Sequence, residues 1–397
     1  MVKFDKLEEE SLEEFVLRLS DLKVKDKSIT WQGISDNVYL NYGINRSEAW
    51  VRRIVKKSLN LVQEEDLLND LDEVRSQIEA KTLELKKERA KLSDERIQNN
   101  AYIRRLSREE TIKEIAFNIA SQIKDKKFLP SYNNVVKVKN DAEEKEAILC
   151  ISDWHYGLDF KNPWNEFNPE ICKERVSKLR DKVIKYIKLH KCNILHLVNL
   201  QDLIAGRIHL GLRLESRFDV ITQTIEISEI LAEFISSLTK YVEVKYYDCL
   251  DNHSRLEPNK NDAQDLETLA RIIPWYLKER LKSNDKVAIC ENEFGHDLIT
   301  FETLGHKVIG VHGDKDKPLT VIDHLSMMTE QHYDLVLTAH MHHFSADEKN
   351  RTVAISNGTL MGTDGYAQKL RLSSNPSQNL IIVSRENVTE SVHRILI

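Results

Sequence analysis

Histidine, aspartate and asparagine side chains recur in short fragments along the C-terminal part of the chain. The fragments are Asp153-Trp154-His155, Gln201-Asp202, Asn252-His253, His312-Gly313-Asp314 and His340-Met341-His342. Imidazole nitrogens together with carboxylate and amide oxygens can bind two divalent cations side by side. Such a pair, about 3.5 to 4 Å apart, holds the attacking and leaving oxygens of a displacement at phosphorus. The residue types therefore predict a two-metal centre that cleaves phosphoesters.

Each fragment follows a short apolar run that is typical of a β-strand. The runs are Ala147 to Ile151, Ile194 to Leu200, Val242 to Leu250, Val308 to Val311, and Leu335 to Thr338. Strand ends collect functional groups because the sheet fixes the backbone while the loop beyond it is free to present side chains. Helices are predicted over Pro169 to Leu189, Val220 to Leu238 and Asp262 to Leu281. This alternation predicts an α/β fold in which mixed parallel and antiparallel strands are sandwiched by helices.

The order of the five fragments resembles that of the calcineurin-like metallophosphoesterases, over about residues 147 to 397. The resemblance implies a two-sheet α/β sandwich flanked by helices. By position, it implies a first metal held by Asp153, His155 and His342, a bridging Asp202, and a second metal held by Asn252, His312 and His340. It also implies that a metal-bridging hydroxide is the nucleophile and that His253 protonates the leaving oxygen or stabilises the phosphate. These ligands favour two manganese ions, with iron or zinc as alternatives.

The chain departs from the family pattern at four positions near these ligands. Gln201, Asp251 and Ala339 stand where the family usually has glycine, so these loops are expected to differ in shape. Ala205 replaces an aspartate that orients the catalytic histidine in many relatives, which leaves His253 without that carboxylate. Asp251 is interpreted either as a substitute partner or as a group that repels substrate phosphate.

Three cationic or imidazole side chains close to the metal motifs are candidates for phosphate binding. Arg255 follows the Asn-His pair, and Arg207 and His209 follow Asp202. A planar guanidinium can donate two parallel hydrogen bonds to phosphate. These residues are therefore predicted to contact substrate.

Length and composition set the class of protein. A chain of 397 residues is expected to form two or three domains, and 41% hydrophobic with 31% charged residues indicates a water-soluble protein. No apolar run is long enough to span a bilayer, and the charged start, Met1 to Lys6, lacks a signal core, so a cytoplasmic location is expected. Five cysteines without close pairing fit a reducing compartment. The net charge of -6 excludes a uniformly basic surface.

Residues 28 to 58 resemble a small helix-turn-helix or homeodomain-like module. Ser28 or Thr30 is expected to cap one helix, Gly43 ends it, and Ser47 with Glu48 opens a second. The second helix has an apolar side and carries the cations predicted to contact DNA phosphates, which are Arg46, Arg52, Arg53, Lys56 and Lys57.

Residues 59 to 123 are expected to form a helical arm. The stretch from 59 to 99 contains neither glycine nor proline, and Leu71, Ile78, Leu85 and Leu92 recur every seven residues as one edge of a coiled-coil seam. The companion positions are mostly charged, so pairing with a second copy of the chain and a solvated spacer are both open. The predicted organisation is a helical domain at 1–58, an arm at 59–123, a linker at 124–146 and the catalytic domain at 147–397.

Three functions are compatible with these patterns. The leading prediction is a metal-dependent phosphodiesterase that cleaves DNA, because the catalytic region is similar to the SbcD-type exonuclease branch and to phosphoesterases of bacteriophage genomes. The alternatives are a phosphatase or small-nucleotide phosphodiesterase, and a DNA-binding regulatory protein with a degenerate phosphoesterase domain. DNA is the expected macromolecular partner in the first and third cases, and no membrane is expected in any of them.

Overall fold

The computed structural model describes residues 2–124, 126, 129–130, 144–208, 210–261, 263–317 and 320–397, without the side chains of 61–73, 108–109 and 124. The chain divides into two compact units, 1–106 and 107–397. The predicted linker at 124–146 and His209 lie largely or wholly outside the described residues. Among the described helices, none combines the length and apolar character that crossing a bilayer requires.

Three helices form the first unit: α1 (Leu12–Lys25), α2 (Trp31–Tyr42) and the start of α3 (Glu48–Lys124). Ser11 and Glu14 form a capping box at α1, and Thr30 caps α2, which ends at left-handed Gly43. A small core holds the three helices together, and its fully or largely buried members are Phe15, Val16, Leu19, Ile29, Ile34, Val38 and Val51. The helical N-terminal region is therefore confirmed.

The long helix α3 spans two segments that were predicted as a separate helical domain and arm. It runs without interruption through residues 58 and 59 to Lys124, because no glycine or proline occurs in it, and the boundary between the units falls inside it. Ile78, Leu85 and Leu92 of the heptad edge are exposed, at 60%, 66% and 65% of their surface, whereas the side chain of Leu71 is outside the described part.

The second unit alternates strands and helices. Its strands are β1 (Lys145–Ile151), β2 (Phe160–Lys161), β3 (Glu166–Phe167), β4 (Ile194–Asn199), β5 (Glu243–Asp248), β6 (Val287–Ile289), β7 (Ile299–Thr303), β8 (His306–Gly310), β9 (Leu335–Thr338), β10 (Ser345–Lys349), β11 (Thr352–Ser356), β12 (Ser377–Ser384) and β13 (Ser391–Leu396). Its further helices are α4 (Pro169–His190), α5 (Leu210–Glu215), α6 (Val220–Leu238), α7 (Ile272–Arg280), α8 (Thr320–Thr329) and α9 (Gly365–Lys369).

The strands form two main sheets. One has the order β13-β12-β1-β4-β5-β6 and the other has the order β10-β11-β9-β8-β7, and a small β2-β3 pair stands apart. The strands β1, β4, β5 and β6 are parallel neighbours, as are β8, β9 and β11, and the outer strands are antiparallel. Parallel neighbours have their carboxyl ends at the same edge, so the loops that follow them come together.

Three apolar layers show how the sheets and helices pack. Ile148, Val198, Leu335 and Leu337 belong to a core between the two sheets. The other face of the first sheet packs with α4, α6, α7 and the end of α3, and the other face of the second sheet packs with α8. This arrangement confirms the predicted α/β class with two sheets flanked by helices.

One predicted helix is much shorter than expected. In place of Asp262 to Leu281, the structure has a 3₁₀ turn at Leu269–Arg271 followed by α7, and Asp262 itself is outside the described residues. Backbone groups of residues 267–269 form hydrogen bonds with another loop instead of within a helix. The Leu269 amide donates to the Ser254 carbonyl at 2.9 Å, and the Leu256 amide donates to the Glu267 carbonyl at 3.2 Å. These bonds hold the segment against the loop that carries Asn252 and His253.

Candidate metal centre

The five motifs converge on one edge of the two sheets. Each begins within four residues of the end of β1, β4, β5, β8 or β9. Potential metal-binding atoms lie within 4.8 Å of one another in three groups, which are Asp153, His155 and His342; His155, Asp202 and His253; and Asp202, His312 and His340. The structure thus brings together residues that are almost two hundred positions apart in the sequence.

The first group has the separations expected around one cation. His155 Nε2 is 3.2 Å from His342 Nε2, which is 3.3 Å from Asp153 Oδ1. Ligand atoms bound at about 2.1 Å to the same ion lie roughly 3.0 to 3.4 Å apart in octahedral or tetrahedral geometry. Asp153 and His155 are almost completely buried.

The second group centres on His312. Its Nε2 atom is 3.0 Å from Asn252 Oδ1, 3.1 Å from Asp202 Oδ2 and 3.2 Å from His340 Nδ1. Its Nδ1 atom is 2.7 Å from the Leu200 carbonyl oxygen, to which it can donate, so Nε2 is the ring atom that faces the other three groups. Backbone carbonyls commonly orient metal-binding histidines in this way.

Orphaned polar atoms inside the cluster test whether metals fit there. Asp153 Oδ1, His155 Nδ1 and Asp202 Oδ2 are buried and have no hydrogen-bond partner. Burying such atoms without partners is unfavourable, whereas coordination would satisfy the two carboxylate oxygens. The mixed nitrogen and oxygen donors suit manganese, iron or zinc, so the residues present fit divalent metals.

The backbone at the cluster is strained. Asp153, His155, Asp202, His340 and His342 all have positive φ, between 44° and 66°. The left-handed region is uncommon for residues other than glycine and costs of order 1 kcal/mol or more each. The clustering of this conformation at five of the seven predicted ligands indicates that the surrounding structure holds them in place for binding rather than for stability.

The replaced glycines have different consequences. Gln201 takes φ of 69°, the conformation that glycine adopts most easily, and both polar atoms of its buried side chain lack a hydrogen-bond partner. Asp251 and Ala339 have no positive φ and therefore do not need the freedom of glycine. The chain thus keeps a left-handed turn before Asp202 at an energetic cost.

Backbone hydrogen bonds join the first two motifs directly. The Asp153 amide donates to the Gln201 carbonyl at 2.9 Å, and the His155 amide donates to the Asp202 carbonyl at 3.1 Å. Thr359 Oγ1, in the turn after β11, donates to the Asp153 carbonyl at 2.9 Å. These bonds fix the ligand loops relative to each other.

His253 lies beside the predicted bridging carboxylate. Its Nε2 atom is 3.8 Å from Asp202 Oδ2, and its ring centroid is 4.6 Å from that of His155. The Ala205 carbonyl oxygen, 2.9 Å from Nδ1, is placed to accept a hydrogen bond from it. A backbone carbonyl therefore orients this imidazole where many relatives are expected to use a carboxylate. Sequence could not reveal this because every residue has a carbonyl.

Gly206 makes that arrangement sterically feasible. A methyl group at Gly206 would lie 2.1 Å from the His253 carbonyl oxygen, and the residue has φ of 71°. The close approach of two backbones requires glycine. Gly206 was not among the predicted site residues, although a glycine four positions after Asp202 in the same loop is a detectable signal.

The Asp251 side chain stabilises its loop through hydrogen bonds. Its Oδ2 atom accepts from the Asp202 amide at 2.9 Å and from Ser254 Oγ at 2.8 Å, and its Oδ1 atom accepts from the Ser254 amide at 2.9 Å. Burial and the neighbouring Asp202 raise the pKa of Asp251 to about 6. The carboxylate thus fixes the backbone on both sides of the cluster.

The ionisable groups strongly perturb one another. Burial alone would raise the pKa of Asp202, but His253 and His312 hold it well below its usual range. Burial would lower the pKa of His312, but the Asp202 carboxylate raises it to about 10. Burial and the neighbouring His253 lower the pKa of His155 to about 3. Since a metal binds the neutral imidazole, the Asp202 carboxylate that raises the pKa of His312 makes protons compete with a metal at that ring.

The predicted phosphate-binding residues differ in their surroundings. Arg255 donates from Nε to the Glu257 carbonyl at 3.1 Å and from Nη2 to the Pro258 carbonyl at 2.9 Å, so it shapes its own loop. Arg207 is exposed and forms no ion pair with the described residues. His209 lies outside the described part of the chain.

Comparisons with known proteins give distant similarities. No family model matches the chain. The SPbeta prophage-derived uncharacterized protein YonJ of Bacillus subtilis (strain 168) is 24% identical over 389 residues, which cover 94% of this chain and 93% of that protein. At this identity the relative does not by itself assign the chain to a family.

Several solved structures are similar to 63% or 64% of this chain. A novel archaeal phosphodiesterase is 13% identical with a TM-score of 0.32, covering 63% of this chain and 99% of its own. Wild-type Vps29 complexed with zinc from Entamoeba histolytica is 11% identical with a TM-score of 0.33, covering 63% of this chain and 98% of its own. A predicted phosphoesterase from Streptococcus pneumoniae TIGR4 is 11% identical with a TM-score of 0.27, covering 64% and 100%.

Proposed function

We propose that this protein is a metal-dependent phosphodiesterase that binds two divalent cations and cleaves DNA. The observation that carries the proposal is the position of Asp202, whose carboxylate belongs both to a group with His155 and to a group with His312 and His340. A carboxylate shared between two sets of ligands is the arrangement that a pair of metals requires.

The residues of the cluster divide between two metals. Asp153, His155 and His342 would hold the first, and Asn252, His312 and His340 would hold the second, with Asp202 between them. Bound cations would supply Lewis acidity for the phosphoryl oxygens. Manganese is the proposed metal, and iron or zinc would fit the same donors.

His253 is proposed to act on the leaving oxygen. With Nδ1 held by the Ala205 carbonyl, its Nε2 atom is directed toward the side of the cluster formed by His155 and Asp202. A fixed imidazole can donate a proton to an oxygen that departs with negative charge. The nucleophile would be a water molecule, since the chemistry requires no serine or cysteine.

The first unit supports DNA as the substrate. Arg52, Arg53, Lys56 and Lys57 are exposed on the first turns of α3, and Val51 from the same helix is buried against α1 and α2. The guanidinium of Arg46 lies 5.1 Å from the ring centroid of Trp50. A helix with one buried side and one cationic side can enter the major groove while its neighbours hold it. We therefore assign duplex binding to this unit.

The relative from Bacillus subtilis is described as prophage-derived, which supports a place among phosphoesterases of bacteriophage genomes. The proposed relation to SbcD-type exonucleases rests on the motifs alone. A small-nucleotide phosphodiesterase or phosphatase is the alternative activity, and a DNA-binding regulator without hydrolytic activity is the alternative class.

The arm is proposed to mediate weak association between two copies of the chain. Ile78, Leu85 and Leu92 expose large apolar side chains along one edge of α3. Burying them against a second copy would remove this surface from water, although charged Lys81 and Glu88 at the companion positions limit the gain. Light scattering over a concentration range, with Leu85→Lys as the comparison variant, measures this directly.

A substrate panel tests the proposed activity. Purified protein with manganese is incubated separately with linear duplex DNA, single-stranded DNA, bis-p-nitrophenyl phosphate and p-nitrophenyl phosphate. Hydrolysis of DNA and of the diester that Asp202→Ala abolishes, with DNA hydrolysis also strongly lowered by His253→Ala, supports the nuclease. Hydrolysis of the monoester alone would support a phosphatase, and DNA retention without hydrolysis of any substrate would support the regulator.

A further inference from the structure

Six large apolar side chains are exposed on one part of the second unit. We call this group the apolar rim, and its members are Trp164, Leu210, Leu214, Tyr366, Leu370 and Leu372. Trp164, Leu214 and Tyr366 leave 61%, 77% and 70% of their surface uncovered. Exposed apolar groups of this size, gathered together, usually mark a binding surface rather than a structural feature.

The three segments of the rim lie next to one another. Asn162 and Asn165, on either side of Trp164, donate through Nδ2 to the Thr363 carbonyl at 3.1 and 3.2 Å. At Gly365, the first residue of α9, an added methyl group would lie 3.8 Å from Glu215 Oε1 at the end of α5. The loop with Trp164, the helix α9 with Tyr366 and the helix α5 with Leu214 are therefore neighbours.

The rim adjoins the metal centre. The amides of Leu360 and Met361, just before the segment that binds Asn162 and Asn165, donate to the Asp153 carbonyl at 3.2 and 3.3 Å. Each rim segment also follows a site element in sequence: Trp164 follows His155, α5 follows Asp202, and α9 follows the turn after β11. A polymer cleaved at the metals would extend across this surface.

Cationic side chains accompany the apolar ones. Arg207, Arg213, Lys369 and Arg371 are exposed on the same segments, and none of them forms an ion pair with the described residues. A surface that carries both exposed rings and cations outside ion pairs complements a chain of bases joined by phosphates.

We infer that the apolar rim binds a single-stranded segment of nucleic acid next to the metal centre, with bases stacking on Trp164 and Tyr366. The inference rests on the proposed function and narrows its substrate class. In a duplex the bases are stacked on each other and present no free faces, so the rim selects unpaired strands. Duplex binding by the cations of α3 is a separate interaction.

Binding in the absence of metal tests the inference without any cleavage. The full-length protein in EDTA is titrated against a labelled single-stranded oligonucleotide and against its duplex, and Kd is measured by fluorescence anisotropy. In the double variant Trp164→Ala/Tyr366→Ala, the loss of each ring is expected to raise the Kd for the single strand by about tenfold. The Kd for the duplex is expected to stay unchanged. Trp164→Phe/Tyr366→Phe keeps both rings and is expected to recover most of the affinity.

A matched control tests whether binding depends on the rings of the rim or on any exposed aromatic side chain. Phe117 and Trp275 are exposed outside the rim, and Phe117→Ala/Trp275→Ala is expected to leave the Kd for the single strand unchanged. Equal single-strand affinity in the wild type and the Trp164→Ala/Tyr366→Ala variant would overturn the inference. The inference would also be overturned if light scattering showed a dimer for the wild type and a monomer for that variant, because the rim would then be a contact between copies.

Hydrolysis of bis-p-nitrophenyl phosphate by the wild type, measured in parallel, keeps the two proposals distinct. Hydrolysis together with ring-independent binding means that the rim assignment is wrong and the activity stands. Ring-dependent binding without hydrolysis means that the rim stands and the proposed activity is wrong.

Discussion

The second unit contains two buried clusters of histidine and carboxylate, and they differ in one decisive respect. In the core between the sheets, Glu146 Oε2 lies 2.8 Å from His196 Nε2 and accepts from Thr303 Oγ1 at 2.6 Å, while Tyr247 contacts the other ring nitrogen at 3.2 Å. At the metal centre, carboxylate oxygens of Asp153 and Asp202 are buried without partners. The first cluster is complete, whereas the second requires something that the chain does not supply.

The backbone conformation also distinguishes the two clusters. Glu146 and His196 lie within the regular strands β1 and β4. Five of the predicted ligands have left-handed backbone in loops beyond the strands. A buried histidine alone is therefore no sign of a metal site. Unpaired carboxylate oxygens combined with a strained backbone at several neighbouring histidines are the sign, because both features are unfavourable for the fold alone.

The largest expected effect is on activity at Asp202. Replacement by asparagine keeps the volume but removes the charge shared by the two ligand groups, so diester hydrolysis should fall by about 1000-fold or more. Unfolding by urea, measured on both proteins, checks that the variant is folded under the assay conditions. Hydrolysis within tenfold of wild type would contradict this.

The converse is expected at the paired cluster. Glu146→Ala leaves His196 and the Thr303 hydroxyl without their partner and should lower the free energy of unfolding by about 3 kcal/mol. Hydrolysis per folded molecule should not change. Glu144→Ala is the matched control, because Glu144 pairs with Arg385 at the surface and its loss should cost well under 1 kcal/mol. Equal effects of the two variants would remove the distinction between the clusters.

The pH dependence of this stability has a definite sign. Burial would raise the pKa of Glu146, but its hydrogen bonds from His196 and Thr303 lower it below the usual 4.5. A carboxylate with a depressed pKa stabilises the fold above its unfolded pKa and loses that contribution as pH falls through the folded value. The stability difference between wild type and Glu146→Gln should therefore shrink as pH is lowered below 4.5. A difference that grows in acid would contradict the assignment.

The effect of His253→Ala should depend on the leaving group. On DNA, where the departing alkoxide needs a proton, hydrolysis should fall by about 100-fold. On bis-p-nitrophenyl phosphate, whose leaving group is stable as an anion, the loss should be much smaller. Equal losses on both substrates would indicate that His253 stabilises the phosphate instead of protonating the leaving oxygen.

The smallest effect is expected at Gly206. Gly206→Ala forces apart the backbones of Gly206 and His253 and should lower DNA hydrolysis by about tenfold through misplacement of the imidazole. Gly211→Ala in the nearby helix α5 is the control, since a methyl group there meets nothing within 4 Å. Similar rates for the two variants would show that the position of His253 does not depend on this contact.

Sequence reasoning succeeded where local pattern decides the structure. The apolar runs before Asp153, Asp202 and His340 form strands, and α6 has the predicted bounds of Val220 and Leu238. Apolar periodicity is a property of a few adjacent residues, and the strand ends then place the ligands. This explains why the convergence of distant motifs could be anticipated.

Sequence reasoning failed where hydrogen bonds to the backbone of residues distant in the sequence determine the structure. The bonds between 267–269 and 254–256 replaced the start of a predicted helix, and the Ala205 carbonyl took the place of a missing carboxylate. The edge strands β10 and β13 were not among the predicted apolar runs, because they carry polar residues on both faces. The capping box of Ser11 and Glu14 was a readable signal for α1.

Anomalous diffraction from crystals grown with manganese tests the central claim most directly. The account predicts two peaks, one bounded by Asp153, His155 and His342 and the other by Asn252, His312 and His340, with Asp202 between them. A single peak, or manganese bound away from these side chains, would contradict the two-metal centre.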